Sequence, residues 1–114
     1  MTDSSDVQDP RLRGLMGRLA EHPANGVDPE PRDGHAQAAV ALVLRAADDL
    51  ELLLIKRAKS LRDPWSGHVA LPGGRRDPSD SMLEETAIRE TSEETGVELA
   101  KSGWHLGRLT EVLP

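Results

Sequence analysis

The chain has 114 residues, which is enough for one domain with a modest core. It lacks cysteine, Phe and Tyr and has a formal charge of −6, which excludes disulfide or thiolate chemistry and argues against nucleic-acid binding through phosphate contacts or aromatic stacking. Its N-terminus is not a basic start followed by an apolar run, and no stretch approaches membrane-spanning length, so we expect a cytoplasmic protein with no membrane partner.

The first predicted element is an amphipathic helix that ends near His22. Asp9 and Pro10 suit the N-cap and first helical positions. Apolar residues then recur at helical spacing, at Leu12, Leu15, Met16 and Leu19. We expect this stripe to pack on a core rather than on a membrane or a partner helix.

A linker follows the predicted helix. Residues 23–34 are rich in Pro, Gly, Asn and Asp, which is typical of a loop. The composition changes after this segment to a run with apolar character. We therefore expect residues 1–34 to form an N-terminal helix and linker, and residues 35–114 to form the principal domain.

A β-hairpin is predicted at the start of that domain. The run Ala36–Ala46 is apolar and partly β-branched, which is typical of a strand buried on both faces. Ala47–Asp49 has turn character, and Leu50–Lys56 supplies a returning strand. Three basic residues come next, at Arg57, Lys59 and Arg62. On sequence alone these are either ordinary surface cations or phosphate ligands.

The most informative stretch runs from Leu71 to Val97. It reads as the end of a short strand, a glycine turn at Gly73 and Gly74, a polar loop, and a helix that Gly96 ends. Glycine is required at the turn if the backbone bends sharply or approaches another group closely.

An acidic face is predicted on this helix. Glu90, Glu93 and Glu94 are separated by three and four residues, which places their carboxylates on one side. Arg89 can pair with Glu93 at i,i+4, but one cation does not neutralise three acids. A solvated acidic face is the usual interpretation of such a run. Here like charges at i,i+4 near a helix C-terminus are unfavourable, so a site for a hard divalent cation such as Mg²⁺ is the better hypothesis.

Beyond Gly96 the chain becomes apolar again, and Trp104–Leu113 alternates in the manner of a strand.

Several of these residues together resemble the Nudix box, G-x5-E-x7-R-E-U-x-E-E-x-G-U, in which U is aliphatic. They are Gly74, Asp80 and the run Arg89–Val97, whose sequence is RETSEETGV. Asp80 stands where Glu is usual, eight residues rather than seven separate it from Arg89, and Thr91 replaces an aliphatic residue.

A second signature is similar to that of the coenzyme A pyrophosphatase branch of this family. It comprises Leu53–Ala58, Arg62, Gly67 and Leu71–Pro78. That branch also tends to carry the one-residue insertion and the aspartate. The resemblance implies hydrolysis of coenzyme A or an acyl-CoA to 3′,5′-adenosine bisphosphate and (acyl-)4′-phosphopantetheine.

The resemblance also implies an α/β (α+β) fold, a mixed sheet sandwiched between helices, which continues through further strands and a closing helix. The chain supplies about two-thirds of that fold, so we expect a Nudix domain that lacks its C-terminal part. Either the chain is incomplete or another copy completes the sheet. An uncovered sheet would favour a homo-oligomer.

By resemblance, the site residues take distinct roles. Glu90 and Glu94, with Glu93 beside them, hold Mg²⁺ or Mn²⁺, and Glu93 acts as general base with Arg89 holding its carboxylate in place. The substrate, a small-molecule diphosphate, is bound by Arg57, Arg62, Gly73, Gly74 and Arg75. Two alternatives remain open, namely hydrolysis of another nucleotide diphosphate or sugar nucleotide, and a catalytically silent chain.

Overall fold

The computed structural model describes residues 6–57, 61–62 and 67–112. Lys59, one of the three basic residues considered as surface cations or phosphate ligands, lies outside the described residues. The described residues form helices and short strands, as expected for an α/β fold. The helices are α1 (Pro10–Ala20), α2 (Leu83–Thr95) and α3 (Leu99–Ser102). The strands are β1 (Ala38–Val40), β2 (Leu44–Ala46), β3 (Leu50–Leu52), β4 (Ile55–Lys56), β5 (Val69–Ala70) and β6 (Gly73–Arg75).

The chain divides into two compact units. One comprises Met1–Ala36 and Glu98–Pro114, and the other comprises Gln37–Val97. The first unit contains α1 and α3, and the second contains α2 and all six strands named above. The candidate site residues lie in the second unit.

In the first unit, α1 begins as predicted. The Asp9 carboxylate caps the helix by accepting hydrogen bonds from the N–H groups of Arg11 at 2.8 Å and Leu12 at 3.4 Å. The Arg11 guanidinium also donates to this carboxylate and lowers the pKa of Asp9 to about 2. The four predicted apolar positions are half-buried rather than fully buried.

The strand predicted at Trp104–Leu113 is wrong over its described residues. Apart from a single bridge at Trp104, residues 103–112 have no regular secondary structure. Gly107 has φ +156°, a conformation that residues other than glycine rarely adopt. The next residue, Arg108, donates from Nη1 to the Val27 carbonyl at 2.8 Å and to Asp28 at 3.2 Å. Side-chain contacts of this kind hold the stretch in place of a strand ladder.

In the second unit the strands form three antiparallel pairs: β1 with β6, β2 with β3, and β4 with β5. The predicted hairpin is confirmed, since β2 and β3 pair across the Ala47–Asp49 turn, with Leu44 opposite Leu52. In the β1–β6 pair, Ala39 lies opposite Gly74 and Val40 opposite Gly73.

The single buried strand predicted at Ala36–Ala46 is wrong in two respects. It is interrupted between β1 and β2, because Ala41 bonds to Pro72 while Val43 bonds to Leu53. Its burial is one-sided, since Val40 and Leu42 are 60% and 52% exposed. Apolar composition alone does not distinguish one covered face from two.

Exposed apolar residues continue on the neighbouring strands and their connections. They are Leu50, Leu52, Leu54 and Val69.

Helix α2 packs against β1 and β6 and ends at Gly96, as predicted. Gly96 adopts φ +78°, and its N–H donates to the Ser92 carbonyl at 2.9 Å. Leu83 is buried, whereas the most deeply buried side chains of this helix are Thr86 and Thr91, both 0% exposed. Thr91 thus occupies an interior position, and its hydroxyl donates to the Ala87 carbonyl at 2.7 Å.

Replacing Gly96 with Ala should lower the free energy of unfolding by about 1 kcal/mol, because a Cβ there meets nothing within 4 Å but the left-handed backbone is strained. Gly14→Ala is the matched control. It also meets nothing within 4 Å but lies inside α1, so it should stabilise by about 0.5–1 kcal/mol. Urea unfolding followed by circular dichroism measures both, and equal signs for the two variants would contradict the assignment.

Candidate metal and diphosphate site

Two glycines of β6 lie directly against the acidic side of α2. The Gly73 N–H donates to Glu94 Oε1 at 3.0 Å. A Cβ on Gly74 would lie 2.5–2.8 Å from the carboxylate atoms of Glu90. The glycine turn predicted at Gly73 and Gly74 is therefore wrong, because both residues lie in strand β6 and neither has a positive φ. Glycine is needed here for close approach rather than for a turn.

Arg89 connects the acidic residues to the rest of the unit. Its Nη1 donates to Glu90 Oε1 at 3.0 Å and to Glu93 Oε1 at 3.3 Å, which confirms the predicted i,i+4 pair. Its Nη2 donates to the Arg75 carbonyl at 3.0 Å. The guanidinium thus joins two acidic residues of α2 to the end of β6.

Asp80 holds the other side of the same guanidinium. Arg89 Nε donates to Asp80 Oδ1 at 3.2 Å, and Nη2 donates to Oδ2 at 2.9 Å, a bidentate pair. The Asp80 side chain is only 5% exposed. Oδ2 also accepts from the Asp77 N–H and the Thr86 hydroxyl, each at 2.9 Å. Hydrogen bonds from Arg89, then from Asp77, hold the pKa of Asp80 far below its ordinary value.

Arg76 fixes the loop that carries Asp80. Its Nη1 donates to Gln37 Oε1 at 2.9 Å. Its Nε and Nη2 donate to the carbonyl oxygens of Asp80 at 3.3 Å and Ser81 at 2.9 Å. The Ser81 N–H in turn donates to Glu85 Oε2 at 2.7 Å. Backbone groups of the loop between β6 and α2 are therefore bound by Arg76 on one side and by Glu85 of α2 on the other.

The three predicted metal ligands share α2 but have different partners. Glu90 and Glu93 meet at Arg89, and Glu94 is held by Gly73. Glu93 is the most open of the Arg89-paired acids, with its side chain 58% exposed. Within the described part of the chain, no three Asp, Glu or His side chains are already gathered closely enough to hold a metal ion.

The three predicted phosphate-binding arginines are all exposed. Arg75 ends β6, next to Gly74, and its carbonyl is bound by Arg89. Arg57 directly follows β4, and its backbone bonds to His68 and Gly67. Arg62 lies in a turn further along. Of the three, Arg75 is the one that the strand order places beside the acidic residues.

Residues 34–114 match the family model described as the NUDIX domain. The matched region is more than half of the chain and contains every residue of the candidate site. The chain belongs to the NUDIX domain family. The hydrogen bonds around Arg89 therefore lie within the segment that matches the family.

Related proteins match this Nudix chain over about half its length. An uncharacterized protein of Schizosaccharomyces pombe is 49% identical over 61 residues, covering 53% of this chain and 18% of the relative. The uncharacterized Nudix hydrolase NudL of Yersinia enterocolitica is 44% identical over 63 residues, 55% of this chain and 31% of the relative. NudL of Yersinia pestis (strain Pestoides F) is 43% identical over 61 residues, which cover 54% of this chain and 30% of the relative. The matched segment thus spans less than a third of these relatives.

No helix among the described residues has both the length and the apolar character needed to cross a bilayer.

Asp80 and Thr86 belong to the candidate site although the sequence alone predicts no role for either. The sequence marks Asp80 only as a departure from glutamate in the Nudix box, whereas the structure shows its bidentate contact to Arg89. A buried aspartate nine positions before an arginine gives no local signal of pairing, because the intervening loop determines whether the two meet. The signal for Thr86 is its helical spacing, because it lies three residues after Leu83 and therefore on the same buried side of α2.

The Asp80 carboxylate should make stability depend on pH. Because its pKa is lower in the folded than in the unfolded protein, its contribution is fully present above about pH 4 and is lost as the pH falls toward the folded value. Asp80→Asn should lower stability at neutral pH and flatten this acid limb. Urea midpoints measured between about pH 7 and pH 2 test this, with exposed Asp49→Asn as control. An unchanged acid limb in Asp80→Asn would contradict the assignment.

The two strand glycines should respond differently to alanine. In Gly73→Ala the new methyl group meets the Ala39 carbonyl and lies 2.6 Å from Val40 Cα, so the backbone must move and stability should fall by about 1–3 kcal/mol. In Gly74→Ala its three nearest atoms all belong to the end of the Glu90 side chain, which can rotate away. Thermal unfolding without added metal should therefore show a larger fall in melting temperature for Gly73→Ala than for Gly74→Ala.

Proposed function

We propose that this Nudix domain hydrolyses the diphosphate linkage of a nucleoside diphosphate derivative with the help of a divalent cation, and that the substrate is coenzyme A or an acyl-CoA. The observation that carries the proposal is the contact between β6 and α2. There, two glycines admit Glu90 and Glu94 against the strand backbone, and the exposed Arg75 follows directly.

The donor set fits Mg²⁺ or Mn²⁺. Carboxylate oxygens are the ligands that such hard cations prefer. Glu90 and Glu94, with Glu93 beside them, would hold the ion, and the missing Cβ of Gly74 leaves room for the Glu90 carboxylate. The chemistry that the cation supplies when bound is polarisation of a phosphoryl oxygen and a lowered pKa for a coordinated water.

The remaining steps fall to the side chains of this chain. Glu93, with an exposed carboxylate, takes the proton of the attacking water as general base. Arg89 positions that carboxylate from Nη1. Arg57, Arg62 and Arg75 offer guanidinium donors to the diphosphate oxygens, where negative charge builds during the displacement.

The second signature of the sequence supports coenzyme A as the substrate. It includes Arg57, Arg62 and the run Leu71–Pro78, which contains both strand glycines. The products proposed are 3′,5′-adenosine bisphosphate and (acyl-)4′-phosphopantetheine.

We also propose that residues 35–114 form the catalytic domain, with residues 1–34 as an N-terminal helix and linker, and that the protein acts in the cytoplasm. The family match beginning at residue 34 supports this division. The exposed apolar residues of the strands and their connections, such as Leu52 and Leu54, support self-association.

The test is turnover of coenzyme A by the purified chain with Mg²⁺ or Mn²⁺, with products followed by chromatography. Glu93→Gln and Glu94→Gln should each lower the rate by about 100-fold or more, because one removes the general base and the other a metal ligand. Glu21→Gln removes an exposed carboxylate at the end of α1 and should leave the rate unchanged.

Three outcomes separate the parts of the proposal. Metal-dependent release of adenosine bisphosphate, lost in the two variants, supports it as a whole. Turnover of ADP-ribose or a sugar nucleotide, but not of coenzyme A, overturns the substrate and keeps the reaction. No turnover by a folded chain whose melting temperature Mg²⁺ fails to raise overturns the reaction and identifies a catalytically silent domain.

A further inference from the structure

Three threonines of α2 satisfy their hydroxyl groups in two different ways. Thr91 and Thr95 donate back to carbonyl oxygens of their own helix, Ala87 and Thr91, each at 2.7 Å. This is the usual behaviour of a helical threonine. Thr86 instead donates out of the helix, to Asp80 Oδ2 at 2.9 Å, although it is as fully buried as Thr91.

The hydroxyl of Thr86 begins a chain of hydrogen bonds that ends at the acidic residues. The Asp80 carboxylate accepts the hydrogen bond from Thr86 and also accepts hydrogen bonds from Nε and Nη2 of Arg89. The third nitrogen of that guanidinium, Nη1, then contacts Glu90 and Glu93. The orientation of two proposed site carboxylates therefore depends on a guanidinium plane that Asp80 sets.

We propose that Thr86 is a positioning residue for the diphosphate reaction, acting through Asp80 and Arg89 on Glu90 and Glu93; this inference rests on the proposed function. The Thr86 hydroxyl and the Asp77 N–H both donate to Asp80 Oδ2, and of the two only Thr86 lies on α2 together with Arg89. Loss of the hydroxyl leaves Oδ2 held from the loop alone, which lets Asp80 rotate about its side-chain bonds and loosens the bidentate geometry at Arg89. Arg89 is the direct outer partner of the Glu90 and Glu93 carboxylates, and disturbing such a partner costs about 10- to 100-fold in metal affinity or activity.

A purely structural role for Thr86 makes a different prediction, and Thr91 provides the comparison. Both residues are 0% exposed and lie on one helix, and each hydroxyl makes a short hydrogen bond. Thr86→Val and Thr91→Val remove the same atoms and keep the same shape. If only packing and hydrogen bonding matter, the two variants should behave alike.

The experiment uses the whole chain in four forms: wild type, Thr86→Val, Thr86→Ser and Thr91→Val. The first measurement is the ¹⁵N spectrum of the Arg89 Nε–H, identified by its absence in Arg89→Lys. The second is Mn²⁺ affinity by titration calorimetry. The third is kcat and KM for the diphosphate substrate, with melting temperature recorded for each form.

We expect Thr86→Val to shift or broaden the Arg89 Nε–H signal, and to weaken Mn²⁺ binding or lower kcat by about tenfold or more. Thr86→Ser, which restores the hydroxyl, should recover all three properties. Thr91→Val should resemble wild type in the Arg89 signal, Mn²⁺ affinity and kcat, but it should have a lower melting temperature.

An unchanged Arg89 signal in a folded Thr86→Val protein would overturn the inference. So would equal losses of Mn²⁺ affinity or kcat in the two valine variants. Because the spectrum needs neither metal nor substrate, a wild-type chain without turnover would count against the proposed reaction alone. The spectrum would still decide whether Thr86 positions Arg89.

Discussion

The ion pair between Asp80 and Arg89 is the contact on which the second unit most depends. It is largely buried and bidentate, and its oxygens are further satisfied by Asp77 and Thr86. A buried ion pair contributes little net stability, because desolvation offsets attraction. Its effect here is geometric: it fixes the loop after β6, the start of α2 and the orientation of Arg89 at once.

That geometry explains how an acidic helix is tolerated. Glu90, Glu93 and Glu94 lie in the last turns of α2, where the helix dipole disfavours negative charge. Arg89 compensates two of them, and the Gly73 N–H compensates the third. Each acid therefore has a partner within the unit, although the described residues contain no preassembled metal cluster.

The parts of the fold that follow from local chemistry could be predicted from sequence. Asp9 and Pro10 start α1, Gly96 ends α2, and the Ala47–Asp49 turn closes the hairpin. The motif around Arg89 was sufficient to predict the family, which the domain match confirms. These signals lie within a few residues of the features they specify.

The features that could not be predicted depend on partners distant in sequence. Alternation at Trp104–Leu113 says nothing about whether another strand is available to pair, and the described residues 105–112 form no strand. The role of Asp80 required the loop conformation that Arg76 holds. Gly73 and Gly74 looked like a turn because Gly-Gly is ambiguous until the neighbouring helix is placed.

The change of hydrogen-bond partner between Ala41 and Val43 separates two strand ladders. The β1–β6 ladder, with α2 packed on it, contains the Nudix site, whereas β2 and β3 bond only to each other among the described strands. The two ladders share no backbone hydrogen bonds. We therefore expect the hairpin to open and exchange its amide protons independently of the glycine and carboxylate contacts, so that local unfolding there leaves the proposed site in place.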